Sequence, residues 1–146
     1  MVMASEDIGM AYPSAISIVT SCIQAALMVG LPEAGLNLAE ATILLASSPK
    51  SNKAAMAFWS AMEDVQTRDI DPVPDHLRDT HYSGAKKLGY GKGYKYPHEF
   101  GGYVSQQYLP NDLYEEGVRY YEPGENGSEA GFKKFLEELR RKYGNN

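Results

Sequence analysis

The sequence has a single cysteine, Cys22, so an internal disulfide framework is excluded. With three histidines (His76, His81, His98) and no cysteine pair, zinc sites of the four-cysteine or two-cysteine, two-histidine type are excluded as well. Long apolar runs are missing. A membrane span needs roughly 18 uninterrupted apolar residues, and the best stretch, 15–29, is broken by Ser17, Thr20, Ser21 and Gln24. The N-terminus carries Glu6 and Asp7 where a signal peptide needs bases, so a reduced, cytoplasmic setting is expected. There is no GxxxxGK[ST] phosphate loop and no HExxH. Basic charge is not in excess: the formal net charge is −5, which argues against nucleic-acid binding by the whole surface but not by a local patch. What is present suffices for a core, since 43% of the 146 residues are apolar. A chain of this length buries about two-thirds of its unfolded surface.

Composition changes along the chain. Residues 1–73 carry three basic and eight acidic side chains, whereas 74–146 carry eleven of each. Nine of the eleven tyrosines fall between positions 82 and 121. The first regime is helical. Pro13 opens a helix with Ile16, Val19, Ile23, Ala26 and Leu27 on one face, and Ile18, Cys22, Ala25 and Val29 on the next; Gly30 ends it. Asn37 and Glu40 have capping-box spacing before Leu38, Ala41, Thr42 and Leu45. Ser51 can cap a third helix whose apolar face holds Ala54, Phe58, Ala61, Met62 and Val65, with Trp59 beside it. Short connections make an antiparallel bundle the natural packing.

The second regime is irregular. RDIDPVP (68–74) reads as a stiff extended connection. His76–Asp79 makes at most a helical turn, and Ser83–Leu88 a short helix ending at Gly89. Residues 89–110 hold five glycines, two prolines and six aromatics, with no persistent period. They predict an ordered loop wrapped on the bundle. Pro110 to Gly127 is rich in turns. Ser128 then caps a last helix with Phe132, Phe135, Leu136, Leu139 and Tyr143 at helical spacing, and Gly144 stands at its C′ position. The fold class expected is mainly α: a short-helix bundle (1–72), an ordered Gly/Tyr-rich segment packed on it (73–127) and a C-terminal helix (128–146).

Candidate chemistry is sparse. Cys22, mid-helix among apolar residues, reads as a buried structural cysteine. The histidines lack acidic partners at ligand spacing, and Glu6-Asp7 reads as a helix start. GYGKGY (89–94) follows no strand and opens no helix, so it reads as turn glycines beside packing tyrosines. No catalytic, cofactor-binding or metal residue is identified. The best local signal is Lys86, Lys87, Lys92 and Lys95 interleaved with Tyr90, Tyr94 and Tyr96, a span with no acid. Lysines neutralise phosphates and aromatic rings stack on unpaired bases. The competing expectation is that these tyrosines anchor the loop and the lysines give at most weak DNA contact.

Several strings together resemble the C-terminal region of the RarA/MgsA family: ASEDIG (4–9), VGLPEA (29–34), PKSNKA (49–54), VPDHLRD (73–79), GYGKGYKYPHEF (89–100) with QQYLP (106–110), and RYYEP (119–123). These are replication-associated recombination ATPases, bacterial relatives of the eukaryotic Werner-helicase-interacting protein. The resemblance implies that the chain is a segment of a longer AAA+ ATPase similar to clamp-loader subunits. ATP and magnesium would be bound in an upstream domain, and this part would include a tetramerisation domain. It implies a homotetramer acting in the cytoplasm, at the nucleoid, on stalled forks and DNA ends, with single-stranded-DNA-binding protein and the replication machinery as partners and no membrane. The reading favoured is an oligomerisation domain that is not itself an enzyme. Its candidate interface residues are Ile16, Val19, Ile23, Leu27, Leu44 and Leu45, because more than one face of the first helices looks buried. The alternative is a nucleic-acid-binding module using segment 84–108. A small independent enzyme would need an acid–base–nucleophile set that the residues do not supply.

Overall fold

The computed structural model describes residues 1–81 and 83–144, with the side chain of Lys86 outside the described set. Among the described residues the regular elements are all helical. The long ones are α1 (Ala15–Val29), α2 (Ala34–Ser47) and α3 (Lys53–Thr67), then the short α4 (Asn111–Glu115) and finally α5 (Glu129–Tyr143). The chain forms two compact units. One combines Met1–Met62 with Tyr120–Phe135; the other combines Glu63–Arg119 with the residues from Leu136 onward.

The first unit is built on α1 and α2. Gly30 closes α1 at φ 74° and donates its N–H to Ala26. The connection to α2 is too short for anything but a reversal, so the two helices pack side by side. Val19 and Cys22 meet Ala41 and Ala4 in the core, with Ile16, Ile18, Ile23, Leu44 and Leu45 packed around them. The polar residues that interrupt these helices are satisfied within them. Thr20 donates to the Ile16 carbonyl at 2.8 Å and Thr42 to that of Leu38 at 2.8 Å. Lys50 serves the C-terminal carbonyls of α2, donating to Leu45 and to Ser48. α2 starts at Ala34 rather than after Asn37, because the turn through Pro32 already supplies its first hydrogen bonds, Ala34 to Gly30 and Gly35 to Pro32. Asn37 therefore lies inside the helix. Ser51 does cap α3: its hydroxyl accepts the Lys53 N–H at 3.2 Å.

The N-terminus adds a π-helical stretch, Ala4–Ile8, that continues into a 3₁₀ turn, Gly9–Ala11; Ile8 is fully buried. Two ties fix it. The Ser51 N–H donates to Asp7, and the Ser128 N–H donates to Ala11, both at 2.8 Å. Asn126 extends the second tie by donating to the Lys50 carbonyl at 2.9 Å. At the start of α5 the Glu129 carboxylate is buried, accepting the Gly124 N–H and the Tyr121 hydroxyl, each at 3.1 Å.

The second unit is mostly irregular. Residues 69–74 form no helix or strand, and Pro74 is extended at φ −50° and ψ 136°. Single 3₁₀ turns follow at Asp75–Leu77, Ala85–Leu88 and Pro97–Phe100. Its buried apolar residues are Ala85, Val104 and Leu113. Leu113 lies on α4, a helix formed where the sequence shows only turn signals; Pro110 supplies its N-cap and Asp112 its first-turn acid. Arg68 gathers Glu116 (2.7 Å), Asp64 (3.5 Å) and Asp112 (3.8 Å). Tyr103 packs on Tyr143 with ring centroids 4.8 Å apart.

Candidate interaction surfaces

The first unit has a core of small residues and a surface of large ones. Its buried apolar set includes five alanines, at positions 4, 11, 15, 34 and 41. Leu27, Met28, Leu31 and Leu36, around the turn that joins α1 to α2, are between 77% and 86% exposed. This turn is an apolar tip. The face of α3 read as apolar is also open: Phe58 and Trp59 are more than half exposed, and α3 buries no residue fully. With Met1, Val2, Ile16 and Ala55 they line a groove of about 490 Å³. Phe58 and Trp59 pack edge to face at 4.8 Å, which holds the indole in place.

The six interface candidates from the sequence do not form one surface. Val19 is 2% exposed and belongs to the chain's own core, and Ile16, Ile23, Leu44 and Leu45 pack around that core. The α1–α2 core takes up part of these side chains, and Ile16 also lines the groove beside Phe58 and Trp59. Leu27 is the member of the set that stands out on the surface, and it shares the tip with residues that periodicity did not single out.

The lysine–tyrosine segment lies in the second unit. Gly89, Gly91 and Gly93 have φ of 80°, 72° and 85° and turn the chain tightly. The turns use their own amides: Gly91 donates to Asp75, Lys92 to Gly89 and Tyr94 to Gly91, so these N–H groups are committed within the protein. Lys87, Lys92 and Lys95 are exposed; the Lys86 side chain lies outside the described residues. Tyr90 behaves as an anchor. Its hydroxyl accepts from Arg78 at 2.6 Å, and the guanidinium lies 4.8 Å from its ring centroid. Arg78 also donates to the Val73 carbonyl at 2.9 Å. Tyr94 and Tyr96, in contrast, are about half exposed, at 45% and 51%. The expectation that they anchor the loop meets half-open rings, of which that of Tyr96 packs on His98 with centroids 5.0 Å apart. The Gln106 amide fixes the backbone beneath them, accepting the Lys95 N–H at 3.1 Å and donating to the Lys95 carbonyl at 2.9 Å. Among the described residues no helix is long and apolar enough to cross a membrane, and no group of three His, Cys, Asp or Glu could hold a metal ion.

Comparison with known proteins places these helices among the C-terminal domains of AAA+ ATPases. The chain is 48% identical over 96% of its length to an AAA domain-containing protein of Mycobacterium tuberculosis. It is 45% identical over 97% of its length to replication-associated recombination protein A of Bacillus subtilis. It is 36% identical over 78% of its length to the ATPase WRNIP1 of Dictyostelium discoideum. The chain spans 31%, 34% and 13% of those three proteins. The family described as MgsA AAA+ ATPase C terminal matches residues 1–140, and the chain belongs to it. The resemblance read from the strings is thereby established.

Proposed function

We propose that this chain holds together copies of an AAA+ ATPase that acts in replication and recombination, as a homotetramer. In this reading ATP and magnesium are handled by an upstream domain, the chain itself turns over no nucleotide, and the assembly works in the cytoplasm at the nucleoid. The supporting observation is the inversion of side-chain size in the first unit, with alanine inside and Leu27, Met28, Leu31, Leu36, Phe58 and Trp59 outside. Burying one such side chain contributes about 1.5–3 kcal/mol, so several left in water are a strong drive to associate. Light scattering across a hundredfold dilution tests it. The expected mass at high micromolar concentration is a fourfold multiple of the 16.1 kDa chain. A mass that stays at 16.1 kDa refutes the proposal.

A second reading, contact with single-stranded DNA through the second unit, is favoured by one observation: Tyr94 and Tyr96 are exposed beside Lys92 and Lys95. Stacking on an exposed aromatic contributes about 1–3 kcal/mol per base. Tyr94→Ala with Tyr96→Ala is expected to weaken oligonucleotide binding at least tenfold while leaving the melting temperature nearly unchanged. Lys87, Lys92 and Lys95 changed to Gln are expected to flatten the salt dependence by about 0.7 per lost phosphate contact. Normal binding by a tyrosine variant that melts early would return these rings to a structural role.

A further inference from the structure

We propose that a polar pocket of the second unit takes one unpaired base of a bound single strand, and that it prefers a base with an exocyclic amine, cytosine or adenine, to thymine. This rests on the single-stranded DNA reading above and names the base that the site selects. The pocket has a volume of about 430 Å³, within the range of small-ligand sites, and lies between the chain at 71–78 and Lys92, Gln107 and Asn111. Its frame is fixed from within. A carbonyl can only accept, so His76 donates its Nε2–H to the Gln107 carbonyl at 2.8 Å. The Gln107 amide spends its two hydrogens on the Leu109 carbonyl and on Oδ1 of Asn111, each at 2.8 Å. Oε1 of Gln107 is therefore left as an acceptor. Arg78, held on Val73 and Tyr90, offsets Asp75 at 3.4 Å. One lining charge of each sign then has no partner among the described residues: Asp71 and Lys92. A carboxylate that only accepts, together with an amide oxygen, suits an exocyclic amine, which cytosine and adenine present and thymine does not. Lys92 suits the adjoining phosphate.

Position ties the pocket to the exposed rings. Lys92 lines the pocket and stands two residues before Tyr94. Gln106 and Gln107 are neighbours: the first clasps the Lys95 backbone beneath the rings and the second lines the pocket. A strand stacked on Tyr94 thus has its next nucleotides within reach of the pocket. The test is fluorescence anisotropy on the full 146-residue chain, with labelled oligomers of deoxycytidine and of thymidine, equal in length and at one salt concentration. The wild type is expected to bind the cytosine oligomer about tenfold more tightly. Asp71→Ala separates selection from bulk charge. Removing an acid strengthens the attraction of any polyanion, so an Asp71 that acts only by its charge would, once removed, raise the affinity for both oligomers. Selection requires instead that the cytosine oligomer lose its advantage of about tenfold, while the thymine oligomer binds at least as well as before. Asp71 is exposed, and a melting curve checks that the variant folds. The same loss is expected with the wild-type protein when the cytosine amines are dimethylated and no longer donate.

Equal binding of the two oligomers by the wild type overturns the proposal, and so does an Asp71→Ala variant that gains affinity for both. In either case the DNA reading stands if Tyr94→Ala with Tyr96→Ala still weakens both oligomers. A wild type that binds neither oligomer defeats both.

Discussion

Gly127 is the tightest point of the first unit. It sits at φ +55°, and a Cβ built there would collide with the Ala11 carbonyl oxygen and lie 2.9 Å from Cγ of Pro49. The same carbonyl accepts the N–H of Ser128 at 2.8 Å, so the collision falls on the bond that ties the start of α5 to the N-terminal helical turn. Gly127→Ala therefore combines two costs. A left-handed backbone conformation costs an alanine about 1–2 kcal/mol. Backing away from Ala11 weakens a hydrogen bond of about 0.5–1.5 kcal/mol net. Together they come to about 2–3 kcal/mol, which for a chain of this size lowers the melting temperature by roughly 4–12 °C. The internal control is Gly131, which lies in α5 with nothing within 4 Å of its would-be Cβ. There alanine should stabilise by about 0.5–1 kcal/mol, because a helical glycine loses more backbone entropy on folding. Thermal melts followed at 222 nm decide. If the two variants melt together, the tie at Ala11 does not hold the unit and the steric argument fails.

Two further outcomes are expected. The Tyr121 phenol is pushed up to about 12, first by burial and then by its hydrogen bond to Glu129 and that group's charge. The folded chain thus holds this proton more tightly than the unfolded chain, so the contribution is complete below pH 10 and fades as pH rises toward 12. Tyr121→Phe should give a shallower loss of stability across that window in urea titrations, and identical slopes refute the assignment. Arg78→Lys should cost the second unit about 1–2 kcal/mol, because lysine cannot reproduce both the Val73 bond and the stack on Tyr90; a urea midpoint equal to wild type refutes it.

Much of the fold was legible because its signals are local. Gly30 and Gly144 end their helices at positive φ, and the Ser51 cap operates within two residues of its target. The lack of regular structure over 69–74 follows from its prolines. What escaped depends on distant partners. The stretch Ala4–Ile8 is too short to declare a period and is held by Ser51, far along the chain. α4 is a five-residue helix surrounded by turn residues, and its place is set by the burial of Leu113. The start of α2 moved because Asn37 can cap a helix but is not needed once the Pro32 turn has formed.

The candidate surfaces were legible as chemistry and not as placement. Helical spacing marks every apolar stripe, yet it cannot say which stripe the chain keeps for itself. On α1 the two neighbouring stripes were both read as buried. The structure divides the helix along its length, burying Ala15, Val19 and Cys22 and leaving Leu27 and Met28 at its end in water. The reason is the size of the partner. α2 offers Ala34 and Ala41, which permit close approach along the helices, and the large side chains of the tip are left exposed. The same logic separates the tyrosines. Tyr90 has Arg78 to pack against, fixed in turn by Val73 and Asp75, while Tyr94 and Tyr96 stay about half exposed, Tyr96 with His98 beside its ring. A large apolar or aromatic side chain is an anchor only where the fold brings a surface to it. Where it brings none, that side chain is available to a second molecule, and this makes the tip, the groove and the two exposed tyrosines the places to perturb.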